Sequence, residues 1–123
     1  MFERLFGLNG ISPAELEERR KREPMVVFDV NSAQSWDRAH VPGARHLDPA
    51  EFGERELPEE KNAAIVFYCS NVLCRKAPNA ARRAKSLGYT NVLVMSAGIS
   101  GWESAGLPTE PGGEATASAA ARG

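Results

Sequence analysis

Short apolar runs alternate along the chain with segments whose apolar residues recur every three or four positions. The runs predict strands at residues 25–30, 44–48, 64–69 and 91–95. The run at 64–69 (AIVFYC) is the clearest, because it is continuously apolar, as strands buried on both faces are.

The intervening segments carry helix signals. Ser12, Pro13 and Glu15 form a capping-box pattern that predicts a helix over residues 12–22. Further helices are predicted over residues 32–39, 49–55, 77–87 and 99–105, and Gly88 ends the helix at 77–87. This alternation predicts an α/β fold: a mostly parallel sheet of about five strands with helices on both faces. Sites in such sheets lie at the carboxyl ends of strands, and Cys69 occupies one of those ends.

Composition separates a domain from a tail. The segment from Thr109 onward has no large apolar residue, so residues 109–123 are predicted to be disordered and residues 1–108 to form one domain. Fifteen basic residues against sixteen acidic ones give no overall basic field for nucleic acid. The longest apolar run, 63–69, is far shorter than the roughly 20 residues of a membrane span. No secretory signal is evident, and we expect a cytoplasmic protein.

The loop after the strand at 64–69 carries the candidate chemistry. A strand-to-helix loop directs backbone N–H groups toward one point, where they bind an anion and favour a thiolate on Cys69. The predicted donors are the amides of Ser70, Asn71, Val72, Leu73 and Cys74. Arg75 adds a bidentate contact, and four further basic residues follow by position 85 without an acidic one. Two cysteines five positions apart do not make a structural zinc site, so no metal is predicted.

Six segments in order resemble the rhodanese-like family, the thiosulfate and persulfide sulfurtransferases. They are FDV at 28–30, AHVPGA at 39–44 after Trp36, FYC at 67–69, GYTNV at 88–92, AGISGW at 97–102 and GLP at 106–108. The resemblance covers residues 11–108. It implies a single rhodanese-like domain in which Cys69 carries a persulfide between a donor and an acceptor, without a metal or organic cofactor.

Three departures from the family pattern bear on the substrate. Asn31 stands where an Arg usually follows Asp-Val, and Ala39 stands where a Gly usually precedes His40. The loop from Cys69 to Arg75 has seven residues instead of six, which resembles the arsenate reductases and dual-specificity phosphatases of the same fold. Unlike those phosphatase loops, this one has no acidic residue and has Cys74 at its sixth position.

The primary functional prediction is therefore a thiosulfate sulfurtransferase-like enzyme. Its donor would be a small anionic sulfur compound such as thiosulfate or a similar persulfide, and its acceptor a thiol or cyanide. One alternative is an arsenate reductase or phosphatase-type enzyme, and the lack of an evident general acid disfavours the phosphatase. Another is a non-catalytic redox or sulfur-binding module.

Cys74 carries two interpretations. Side chains of a loop that curls around an anion point outward, which predicts that Cys74 simply faces solvent or packs. The alternative is a second thiol that pairs with Cys69, which requires Cα atoms within about 7 Å. His40 matches a turn histidine of the family, and a structural role is predicted for it.

Overall fold

The computed structural model describes residues 8–112 of the 123-residue chain. Its centre is a five-stranded, all-parallel sheet in the order β1-β5-β4-β2-β3. The strands are β1 (Asn9–Gly10), β2 (Val26–Asp29), β3 (Arg45–His46), β4 (Ile65–Tyr68) and β5 (Val92–Val94). The predicted α/β class and the parallel sheet are confirmed, with β4 in the central position.

Four helices cover both faces of the sheet. They are α1 (Pro13–Arg19), α2 (Ala33–Arg38), α3 (Lys76–Ser86) and α4 (Gly98–Ser104). The capping box at Ser12 forms as predicted, since the Ser12 hydroxyl accepts from the Glu15 amide and the Glu15 carboxylate accepts from the Ser12 amide. Four buried alanines let α3 pack closely against the sheet.

Side-chain alternation along β4 divides the core into two clusters. Ile65 and Phe67 pack on the α3 side, whereas Val66 and Tyr68 pack on the opposite side with Leu16 of α1 and Trp102 of α4. Because successive side chains of a strand point to opposite faces, the next residue, Cys69, lies on the α3 side. The strand register therefore determines which helix the cysteine faces.

Two elements differ from prediction. Residues 49–55 do not form a helix: the chain turns after Asp48, and a 3-10 turn follows at Glu54–Glu56. Gly53 is extended and Phe52 is buried in the core, so the chain enters the interior there instead of continuing as a surface helix. Strand β1 was not predicted because Asn9–Gly10 has no apolar pattern; it is defined by pairing with β5.

Residues 109–112, the first four residues of the predicted disordered tail, lie against the domain in the structure. Glu110 and His40 exchange two backbone hydrogen bonds of 3.0 Å. The Gly43 amide donates to the Glu110 carboxylate at 3.1 Å, and the Gly112 amide donates to the Asp37 carbonyl at 2.8 Å. Residues 109–112 thus form a strap across α2. The remainder of the predicted tail, 113–123, lies outside the described residues.

None of the helices within residues 8–112 has the length and apolar character of a membrane-spanning segment.

Candidate active site

Cys69 lies directly after β4, at the carboxyl edge of the sheet. Cys69 is only 2% exposed and belongs to the core cluster on the α3 side. The Ile99 amide donates to the Cys69 carbonyl at 2.9 Å, and the Ser100 amide donates to the Ser70 carbonyl at 3.0 Å. The start of the loop is therefore fastened to the first turn of α4.

Gly98 permits that close approach. It has a left-handed φ of +67°, and a Cβ there would lie 2.5 Å from the Ser70 carbonyl carbon and 2.7 Å from the Cys69 carbonyl oxygen. Both neighbours are backbone atoms, which cannot turn aside as a flexible side chain does. A glycine is required here both by conformation and by space.

Cys74 turns inward and pairs with Cys69 as a disulfide across a Cα–Cα distance of 6.4 Å. The loop does not simply curl around an anion, because Asn71 accepts hydrogen bonds from the amides of two residues that follow it. The Leu73 amide donates to the Asn71 side chain at 2.9 Å, and the Cys74 amide donates to the Asn71 carbonyl at 3.1 Å. Val72 and Leu73 point outward, 70% and 83% exposed.

The five amides predicted from sequence to bind an anion fall into two groups, those that donate to Asn71 and those that do not. The amides of Leu73 and Cys74 donate to Asn71 in this disulfide form, so they are not directed at an anion. The amides of Ser70, Asn71 and Val72 stay predicted donors. Arg75 occupies the N-cap position of α3 and is exposed, at the end of the loop opposite Cys69.

The basic residues of α3 do not all serve the loop. The Arg83 guanidinium donates to the Phe52 carbonyl at 2.8 Å and lies over the Phe52 ring. Arg82 donates to the Asn79 side chain at 2.9 Å. Lys76, in contrast, lines a cavity of about 390 Å³ together with Asn31, His46, Asp48 and others. Of these three cations of α3, Lys76 is the one in the first turn, directly after the loop.

A second cavity, of about 200 Å³, adjoins the loop at Ser70. Arg38 and Ser35 of α2, Ile99 and Glu103 of α4, and Asn31 also line it. Arg38 was not predicted as a site residue, because its helix is over thirty positions away in sequence and carries no motif. Only the packing of α2 beside the sheet edge reveals this cation.

A buried polar network supports the same sheet edge. The Tyr68 hydroxyl donates to Asp29 Oδ2 at 2.7 Å and accepts from the Val41 amide at 3.0 Å. Asp29 Oδ1 accepts from the Asn31 amide at 2.8 Å. Burial raises the pKa of the Asp29 carboxyl, and burial beside Asp29 raises the pKa of Tyr68. The network fixes the ends of β2 and β4, one residue before Cys69.

The contacts of His40 agree with a structural role. Its ring is stacked on Trp36 with centroids 4.3 Å apart, and Nδ1 lies 2.8 Å from the Trp36 carbonyl oxygen. Nε2 lies 3.2 Å from Glu110 Oε2 in the strap. The histidine is buried among these groups and joins α2 to the strap.

Comparisons with known proteins agree with this architecture. The chain is 33% identical over 104 residues to an HTH-type transcriptional regulator of Mycobacterium tuberculosis, covering 85% of this chain and 46% of the relative. It is 27% identical over 100 residues to a thiosulfate sulfurtransferase of Actinobacillus succinogenes (81% and 88% coverage). An arsenate reductase of Oryza sativa subsp. japonica is 29% identical over 115 residues (83% and 87%).

The chain spans about half the length of the first two curated relatives that it matches, 46% and 54%. A crystal structure of a Bacillus halodurans protein superposes with a TM-score of 0.75 at 25% identity, covering 83% of this chain and 76% of that one. The family model described as the rhodanese-like domain matches residues 12–105, from the N-cap of α1 to the C-cap of α4. On this match, and on a fold that agrees with it, the chain belongs to the rhodanese-like domain family.

Proposed function

We propose that this protein is a sulfurtransferase that carries sulfane sulfur as a persulfide on Cys69. The observation that supports this proposal most directly is the position of Cys69. It follows the central strand of a rhodanese-like domain and starts a loop that ends in Arg75. The reactive form has the loop disulfide reduced, because a thiolate and not a paired sulfur is the nucleophile. A reducing compartment such as the cytoplasm keeps it in that form.

The reaction proceeds by double displacement. The Cys69 thiolate attacks the sulfane sulfur of thiosulfate, the S–S bond of thiosulfate breaks, and sulfite leaves with the bonding electrons. A thiol or cyanide then takes the outer sulfur from the persulfide and returns Cys69 to the thiolate. Similarity to a thiosulfate sulfurtransferase along most of both chains supports this choice of donor.

Cationic groups near the loop support an anionic donor. Arg75 follows the loop, Lys76 begins α3, and Arg38 lines the cavity that reaches Ser70. Guanidinium groups contact the oxygens of a sulfonate-like group in bidentate fashion. We assign the sulfite end of the donor to Arg75 and to the amides at the start of the loop.

Arsenate reduction is a second candidate. The count of seven residues from Cys69 to Arg75 favours it, as does similarity to an arsenate reductase over most of both chains. In that reaction a thiolate attacks arsenic and external thiols supply the electrons.

The test measures thiocyanate and sulfite from thiosulfate plus cyanide, beside arsenite from arsenate plus a dithiol. Cys69→Ser should abolish thiocyanate formation, since an alcohol cannot hold a persulfide. Arg75→Ala should slow turnover by about tenfold to a hundredfold, as loss of a charge-assisted contact of about 1.5–3 kcal/mol implies. Arg75→Lys should slow it less, because the charge stays.

Arg82→Ala is the matched control, a cation lost from the same helix whose side chain bonds Asn79. It should keep the wild-type rate. Thiocyanate formation by Cys69→Ser would contradict the proposal, and arsenite formation without sulfite release would favour the second candidate.

A further inference from the structure

Cys74 is a nucleophilic side chain that a one-thiol sulfurtransferase does not use. It is half-buried, packs against the same core cluster that contains Cys69, and is bonded to Cys69 in the structure. Their Cα separation of 6.4 Å lies inside the usual range for disulfides, about 4.4–6.8 Å. The backbone of the loop therefore holds the two sulfurs where they react with each other.

The turn at Asn71 produces this arrangement. Asn71 accepts hydrogen bonds from the Leu73 and Cys74 amides, and these bonds fold the loop back on itself. Val72 and Leu73 occupy the outside of the turn, and Cys74 returns toward the strand end.

Separate elements hold the two ends of the loop. Cys69 is fastened to α4 through the Ile99 amide. On the other side, Ala77 is buried against the core, and the Asn79 amide donates to the Arg75 carbonyl at 3.1 Å in the first turn of α3. Because both ends are anchored, the effective concentration of one sulfur at the other is high.

We propose that Cys74 is a resolving nucleophile that releases the transferred sulfur as hydrosulfide within the loop. The inference rests on the proposed function, which forms the Cys69 persulfide. The Cys74 thiol then attacks Cys69 Sγ: the Cys69–Cys74 S–S bond forms, and the bond to the outer sulfur breaks. The outer sulfur leaves with the bonding electrons and takes up the Cys74 proton as HS⁻. Cys74 is oxidised and the sulfane sulfur is reduced.

A dithiol reductant then restores the loop by thiol–disulfide exchange. Cys69 is almost fully buried, whereas Cys74 is partly exposed, so the incoming thiolate attacks Cys74 and frees Cys69 for the next donor. Per cycle, one thiosulfate and one dithiol become one sulfite, one hydrosulfide and one external disulfide. Sulfide release then requires no acceptor that carries the sulfur away.

The experiment is a single turnover on the 123-residue chain, pre-reduced and desalted, with one equivalent of thiosulfate and no cyanide or thiol. We expect the wild type to release one sulfite and one hydrosulfide and to end about 2 daltons below the reduced mass, the loss of two hydrogens in a disulfide. Cys74→Ser should release the same sulfite but no hydrosulfide, and should keep a persulfide adduct of about 32 daltons.

Ser86→Ala is the control, since it removes a small polar side chain at the far end of α3, where the Ser86 hydroxyl donates to the Arg83 carbonyl. It should behave as the wild type, and Cys74→Ala should repeat the result of Cys74→Ser. A wild-type protein that releases sulfite but retains the adduct, without hydrosulfide, would overturn the role of Cys74 and leave the proposed function intact. Absence of sulfite from the wild type would overturn the proposed function itself.

Discussion

Gly98 begins helix α4 beside the cysteine loop, and a methyl group at this position would meet the loop backbone. In Gly98→Ala the new Cβ would lie 2.5–2.7 Å from three backbone atoms of Cys69 and Ser70. Gly106 provides the matched control. Its φ of +79° is close to the +67° of Gly98, but a Cβ there would have no atom within 4 Å.

The two substitutions separate conformational cost from collision. Gly106→Ala should cost about 1 kcal/mol, the order of a left-handed φ in a residue with a Cβ. Gly98→Ala carries the same cost plus the displacement of packed backbone, about 1–3 kcal/mol more. At about 5 °C per kcal/mol for a domain of this size, the total loss of about 2–4 kcal/mol should lower its melting temperature by roughly 10–20 °C, against about 5 °C for the control.

Thermal unfolding followed by circular dichroism, together with urea titration, measures both losses. Sulfite release should also slow in Gly98→Ala below its melting temperature, since relief of the collision moves Cys69. Equal losses of stability in the two variants would refute the reasoning, because the loop backbone would then not lie against Gly98.

Three further outcomes are expected. Truncation after Thr109 should cost about 2 kcal/mol relative to truncation after Gly112, because it removes the strap hydrogen bonds; equal melting temperatures would contradict the strap. Tyr68→Phe should cost about 3 kcal/mol in urea unfolding, because it removes the donor to Asp29 Oδ2 and the acceptor of the buried Val41 amide, while Asp29 Oδ1 keeps its bond from the Asn31 amide. Tyr89→Phe, which loses one bond to the Pro58 carbonyl, should cost about 1 kcal/mol. Burial raises the pKa of Asp29, so its contribution to stability is complete below the unfolded value of 3.8 and declines as pH rises through the folded pKa. The stability of Asp29→Asn relative to wild type, measured by urea unfolding from pH 3.5 to 7 (about the carboxyl range), should therefore increase with pH, and a constant difference would contradict it.

Local residue patterns determined much of this protein. A continuously apolar run suffices to predict β4, because a strand that is buried on both faces has apolar side chains at every position. The Ser12 capping box specifies the start of α1 within one turn of chain, so it is recognisable without the fold. The candidate nucleophile followed in the same way, since Cys69 directly succeeds the strand whose end faces the site.

Tertiary structure decided the rest, because the relevant partners are distant in sequence. Glu110 is held by His40, seventy positions away, so local composition assigned it to a tail. Strand β1 exists by pairing with β5, and Arg38 approaches Ser70 through the packing of α2. Cys74 faces Cys69 because the Asn71 carbonyl accepts a hydrogen bond from the Cys74 amide and α3 holds the end of the loop. The spacing of the two cysteines in the sequence permits this geometry but does not impose it.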